Sequence, residues 1–231
     1  MLSAPPANPM SVELTVQHRR AWWQPDDELQ PEAWEVTADV SELDVCPPGL
    51  RHVADLSVTV ADLRRGRVAL DTLVLGEWAP GFLAAAAGEG GALRPELEEW
   101  VSDGPPRVVV VRRYELMSEW RGHGLGPVLL AGALAAFMPL ARLAAVHVPQ
   151  PARPGWPPGG TAAGGPDRPL TGLGRAARQR MAERQRARRI AVLERLGFRL
   201  WDGVHVADLR GAELADTRHG PLERWQQLDW H

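Results

Sequence analysis

Arg121-Gly122-His123-Gly124-Leu125-Gly126 is the stretch of this chain whose residue types and spacing could do chemistry. The β-branched run Val108-Val109-Val110-Val111 leads to it through Tyr114 and Met117, and reads as a central strand. Pro127 to Met138 follows as an apolar helix, with Pro127 in the first turn, where a missing N–H is tolerated. A strand that feeds a glycine-rich turn and then a helix is a place to bind phosphate. The helix start carries partial positive charge, and glycines let backbone N–H groups come close to an anion. His123 sits inside the turn and could donate to such a phosphate, against the plainer reading of an exposed loop residue.

Two phosphate-loop classes fail on composition and spacing. All 26 basic residues are Arg, so the lysine of a P-loop is missing, as is any Schiff-base lysine. A dinucleotide fingerprint needs a third small residue after Gly124-x-Gly126 and an acid at the end of the next strand. Here Pro127-Val128-Leu129 follows the glycines, and the next strand ends Val148-Pro149-Gln150. Cys46 is the single cysteine, in the turn-like Asp44-Val45-Cys46-Pro47-Pro48, so neither an intrachain disulfide nor a multi-cysteine zinc cage can form.

The rest of the chain must position that turn. The 231 residues suggest one domain with extensions, and 45% apolar residues suffice for a sizeable core. Twenty-six basic against 29 acidic residues give a net charge of −3, which excludes a globally basic binder and a charge-rich disordered chain. Residues 1–11 read as a flexible Pro-rich arm without the features of a signal peptide. Alternation predicts strands around Val12–Gln17, Trp34–Val40 and Leu56–Val60, with a turn at Gln24–Asp27. Helical patterning over Asp71–Ala87 carries Leu73, Trp78, Phe82 and Leu83, broken or kinked near Gly76, Pro80 and Gly81. Pro95–Trp100 reads as a short acidic helix. Beyond the loop helix come a strand at Leu143–Val148, a Pro/Gly-rich loop over 149–170, a helix at Arg175–Leu196 and a hairpin around Asp202-Gly203. A single domain over 12–209 and a tail over 210–231, helical at Leu222–Leu228, complete the layout. Gly124–Ala141 carries no charge, but the helix between its prolines would span roughly 18 Å against a bilayer core of about 30 Å. A soluble, cytoplasmic chain is expected.

Arg121-x-x-Gly124-x-Gly126, entered from a strand and leading into a helix, resembles the pyrophosphate loop of the GNAT superfamily of N-acetyltransferases. Leu193-Glu194-Arg195-Leu196-Gly197-Phe198 resembles the end of that family's last helix. The resemblance covers residues 107–209. It implies an α/β fold, a mixed and mostly antiparallel sheet splayed at an acyl-CoA cleft and flanked by helices. Acetyl-CoA would be the co-substrate, with no metal. Its pantetheine arm would pair with backbone near Leu116 and Met117. Its diphosphate would take N–H bonds around Gly122, His123, Gly124, Leu125 and Gly126, and Arg121 would hold the loop or approach a phosphate. An amine, on a small molecule or a protein, would attack the thioester, which asks for a base. Glu115 is the candidate by family position, against a surface acid paired with Arg112 or Arg113. His147 could relay a proton, against a structural histidine. Homodimers are frequent in the family.

The sequence departs from the family pattern at three points. Leu193 stands where the family usually has the tyrosine that protonates the leaving thiolate, and Tyr114 is the sole tyrosine. Pro127 removes one N–H from the loop helix. Asp71–Trp100 replaces the usual hairpin before the loop strand. The expected activity is therefore acetyl-CoA-dependent N-acetyltransfer, with a non-catalytic acyl-CoA binder of the same fold as the alternative. A second alternative is a nucleic-acid module using the Arg-rich helix 175–189, though aromatic residues for base stacking are missing there. A solvated helix is the simpler reading of those arginines. Trp22, Trp23 and Trp34 could line an acceptor pocket, against ordinary packing.

Overall fold

The computed structural model describes residues 4–20, 22, 30–65, 72, 76–149 and 174–226. The expected turn at Gln24–Asp27, Leu73, Trp23, most of the 149–170 loop and Leu228 lie outside the described residues. In chain order the strands and helices are β1 (Val12–Arg19), β2 (Glu32–Val40), β3 (His52–Asp62), α1 (Trp78–Ala86), α2 (Pro95–Glu98), β4 (Arg107–Leu116) and α3 (Leu125–Ala135). Then follow β5 (Leu143–Val146), α4 (Arg175–Arg195), β6 (Arg199–Trp201), β7 (Val204–Asp208), α5 (Ala212–His219) and α6 (Leu222–Gln226).

The strands form one seven-stranded sheet in the order β1-β2-β3-β4-β5-β7-β6. Every neighbouring pair is antiparallel except β4 and β5, which run parallel. The architecture is thus α/β, with a mixed, mostly antiparallel sheet. The parallel pair needs a crossover, and α3 supplies it. Alternation sorts the side chains into two cores. Val36, Leu56, Val58, Val109, Ala144 and Ala207 meet α3, the end of α4 and α5 on one face. Ala61, Val108, Val110, Leu143, Ala145 and Val206 meet α1 and α2 on the other.

Local chemistry explains most element boundaries. The β6–β7 hairpin turns on Asp202 (φ 45°) and Gly203 (φ 78°), the pair of left-handed residues that a tight two-residue hairpin turn requires. Helix α1 begins only at Trp78, which puts Pro80 and Gly81 in its first turn, where neither breaks it. β3 is longer at both ends than its Leu56–Val60 alternation suggests, because His52, Asp55 and Asp62 pair with side-chain partners. β1 is an edge strand, and Val16 on it is 37% exposed, although the alternating pattern suggested a half-buried face.

Described residues near each end of the chain pack against the sheet and α3. Ala7 and Pro9 are buried, and Asn8 caps a short turn of 3-10 helix at Pro9–Ser11. Leu214 of α5 joins the main core, and Trp225 of α6 packs in a cluster with Ala7, Val40 and Trp120. No helix among the described residues is long and apolar enough to cross a membrane.

Candidate functional site

β4 reaches beyond its neighbour. Val108–Val111 pair with Leu143–Val146, and past Val111 the strand continues to Leu116 without a β5 partner. On its other side β4 stays paired with β3 as far as Leu116, through a bulge at Ser57/Val58 that leaves Arg112 unpaired. The extra residue inverts the alternation. Val109 and Val111 face the α3 core, and after the bulge Tyr114 and Leu116 face the same way. Arg113 and Glu115 therefore turn to the opposite face. His147, one residue past the β5 pairing, lies on that opposite face too, stacked on Trp78 of α1 at 5.2 Å between ring centroids. Glu115 and His147 thus sit on the same sheet face, on the two strands whose pairing has ended.

The glycine-rich turn closes the far end of β4. Gly122 (φ 88°) and Gly124 (φ 81°) take left-handed backbone that favours glycine, and Gly124 is the N-cap of α3. Side-chain latches fix the turn from below. Trp120, fully buried, donates its indole N–H to Leu50 O at 3.0 Å. Tyr114 donates its hydroxyl to Gly126 O at 2.7 Å, and Arg121 Nε donates to Leu116 O at 2.8 Å. At Gly122 there is space: among the described residues, a Cβ placed there would meet nothing within 4 Å. Among the described residues, the backbone N–H groups of Gly122, His123, Gly124, Leu125 and Gly126 have no acceptor outside the helix. Arg121, Gly122 and Gly124 are exposed, and His123 is half-buried. Such amides, at the positive end of a helix, can bind an oxyanion.

The structure divides the expected pantetheine partners. Met117 donates its N–H to Val53 O at 2.9 Å on the β3 side, and its carbonyl accepts from Trp120 N. The N–H of Met117 is therefore already paired with β3. By strand alternation, Tyr114 and Leu116 turn their backbone groups to the unpartnered edge. Leu116 remains in place, with its carbonyl already held by Arg121.

The acid–base candidates differ in readiness. Glu115 is ion-paired with Arg113, so its carboxylate must leave a guanidinium before it can accept a proton. Burial, with the charge of Arg186 second, pushes the His147 imidazole below its usual value, which keeps it neutral and able to accept one. Leu193 is buried in the main core and offers no proton. Tyr114 does not replace the missing acid, because burial drives its hydroxyl above the ordinary value while it donates to Gly126.

No family model, curated protein or solved structure matches the chain. The residues themselves must therefore carry the functional argument. Among the described residues, no group of three or more His, Cys, Asp or Glu could hold a metal ion.

The remaining candidates separate clearly. Trp34 stacks on His18 at 4.6 Å, meets Phe137 edge-on and donates its indole N–H to Glu32, which is a packing role. Trp22 is 95% exposed. On α4, Arg178, Arg180, Arg184, Arg188 and Arg189 are exposed, as a solvated helix requires, and Arg186 alone of the arginines from 178 to 189 is half-buried.

A polar ladder that sequence reading missed runs beside Glu115. Asp55 stands directly across from Glu115, and His52 bridges two carboxylates: Nδ1 lies 2.9 Å from Asp39 and Nε2 lies 3.0 Å from Asp55. Its only sequence signal is three charged or titratable residues in strands whose other face is apolar. Hydrogen bonding to Asp55, then to Asp39, raises the His52 pKa against an opposing burial effect. A raised pKa gives stability that is full below the ordinary value of about 6.5 and is lost as pH rises through the folded value. An NMR titration should place the His52 midpoint above that of a free imidazole, and Asp55→Asn should lower it. A midpoint unmoved by Asp55→Asn would discard the bridge.

Proposed function

We propose that this chain is an acetyl-CoA-dependent N-acetyltransferase of GNAT type, acting on an amine. One observation carries the reading. At the end of β4, where β5 no longer pairs with it, the bend at residues 122–126 presents backbone amides that have no acceptor outside the helix among the described residues. The strand order, the single parallel junction and the α3 crossover support it, since the resemblance calls for a mixed sheet that opens between these two strands.

In this reading the diphosphate lies on the amides of Gly122 to Gly126, and Arg121 steadies the bend through Leu116 O. The pantetheine pairs with the free edge at Tyr114 and Leu116. The thioester then lies between β4 and β5, and the amine nitrogen attacks its carbonyl carbon. A C–N bond forms, the C–S bond breaks and the thiolate leaves. The amine proton passes to His147, which is neutral and half-buried, or through water to Glu115 once that carboxylate parts from Arg113. Water protonates the thiolate, because Leu193 cannot.

Transfer to a panel of primary amines tests the reading. Loss of the base should lower kcat about 10²-fold or more. His147→Gln and Glu115→Gln assign the role by which of them shows that loss. Acetyl-CoA binding without turnover on any amine would favour the non-catalytic acyl-CoA binder, a reading that the buried Leu193 and the Arg113–Glu115 pair support.

A further inference from the structure

The inward stripe of α4 ends on a charge. Leu193 and Ile190 pack into the main core, and the next position on that stripe is Arg186. Its Nε is buried and has no hydrogen-bond partner among the described residues. Below α4, β7 turns His205 to the same sheet face, directly across from Val146 of β5. His205 is 4% exposed, and its Nδ1 is likewise buried without a partner among the described residues. Two orphaned polar atoms in one region call for an explanation, because each forgoes a hydrogen bond that water would have supplied. On the edge strand, Leu200 pairs with His205 and is 68% exposed, so solvent lies one residue away from the imidazole.

The chemistry of the pair is specific. The guanidinium is always charged and only donates, whereas the imidazole gains a second donor when it is protonated. Burial, then the Arg186 charge, hold His205 below its usual pKa; Glu194 pulls the other way, and His147 adds to the lowering. A bound anion would offset the Arg186 charge, accept from Nε and let His205 take up a proton. Neutral ligands would gain none of this.

We propose that Arg186 and His205 form an oxyanion site between α4 and the β5–β7 pair, suited to a carboxylate or a phosphate group. His147 stacks on Trp78 at the opposite sheet face, from where it still feels the Arg186 charge. The site does not depend on the thioester reading, and its probes contain no thioester.

The test is an NMR titration of the His205 ring with sodium acetate and with sodium phosphate, against sodium chloride at matched ionic strength. A saturable shift with either anion, together with a rise in the His205 midpoint, supports the site. Acetate alone marks a carboxylate site and phosphate alone a phosphate site. Arg186→Met, which continues the apolar stripe, should weaken binding about tenfold or more. His205→Asn serves as the second variant, followed by the melting temperature in each anion. No saturable shift with either anion, or equal affinity in Arg186→Met, overturns the proposal.

Discussion

Acetyl-CoA at a hundred times its dissociation constant should raise the melting temperature of the protein by about 5–10 °C, and Gly124→Glu should abolish that rise. The expected size follows from mass action, about 2.7 kcal/mol at that excess, and from about 2–4 °C per kcal/mol for a chain of this length. Gly124 is the N-cap of α3 at φ 81°, inside the run of amides that have no acceptor outside the helix among the described residues. A glutamate there places its own carboxylate at the positive end of the helix, where an external diphosphate would bind. Its left-handed backbone would cost about 1 kcal/mol, so the variant should fold and melt a few degrees lower. Gly124→Ala carries the same backbone strain without the charge. It should keep most of the ligand-induced rise, which separates a blocked site from a damaged fold. If saturating acetyl-CoA leaves wild-type melting unchanged, both the transferase and the acyl-CoA binder are lost.

The turn was legible in sequence because glycine spacing, a preceding strand and a following helix are local signals. What it sits beside was not. The run Val108 to Val111 is buried on both sheet faces, so it carries no parity that could say which face the next residues take. Extending the alternation from Val109 and Val111 would have put Arg113 and Glu115 in the core. The bulge at Arg112 reverses this: Tyr114 enters the core and latches Gly126, while Glu115 joins Arg113 and Asp55 on the polar side. One unpaired residue decides the environment of a catalytic candidate, and no composition rule announces it.

Packing near the N-terminus was hidden for a related reason. Proline and alanine near the N-terminus look like an arm, yet Ala7 packs in one cluster with Trp225 of α6, and Pro9 is buried. Burial there depends on partners more than two hundred residues away, which periodicity cannot see. Arg186 shows the opposite failure. In a helix so rich in arginine it looks like one more solvated side chain, and only the packing of Ile190 and Leu193 turns it inward.

Arg142 gives the largest expected loss of stability. It stands just before β5, is 6% exposed, and makes a two-pronged pair with Glu98 at 2.9 and 2.8 Å. The same guanidinium donates to Ser102 O and Val101 O, so it ties α2 and the segment after it to the start of β5. Arg142→Met keeps the aliphatic stem but leaves these carbonyls and Glu98 without a donor. Removing one partner of a buried pair costs about 3–5 kcal/mol, and Glu98 is exposed enough to recover part of that in water. A loss of about 3 kcal/mol, or about 6–12 °C, is expected. The pH dependence gives an independent check. The Arg142 hydrogen bond, with help from the Leu93 N–H and against burial, holds Glu98 below its usual pKa. A depressed carboxylate contributes stability above its unfolded value, about 4.3, and that contribution is lost as pH falls through the lower folded value. Arg142→Met should therefore flatten the acid side of the melting-temperature profile as well as lower its plateau. A variant that melts within a degree or two of the wild type, with the acid limb unchanged, would mean that this guanidinium does not hold β5 against α2.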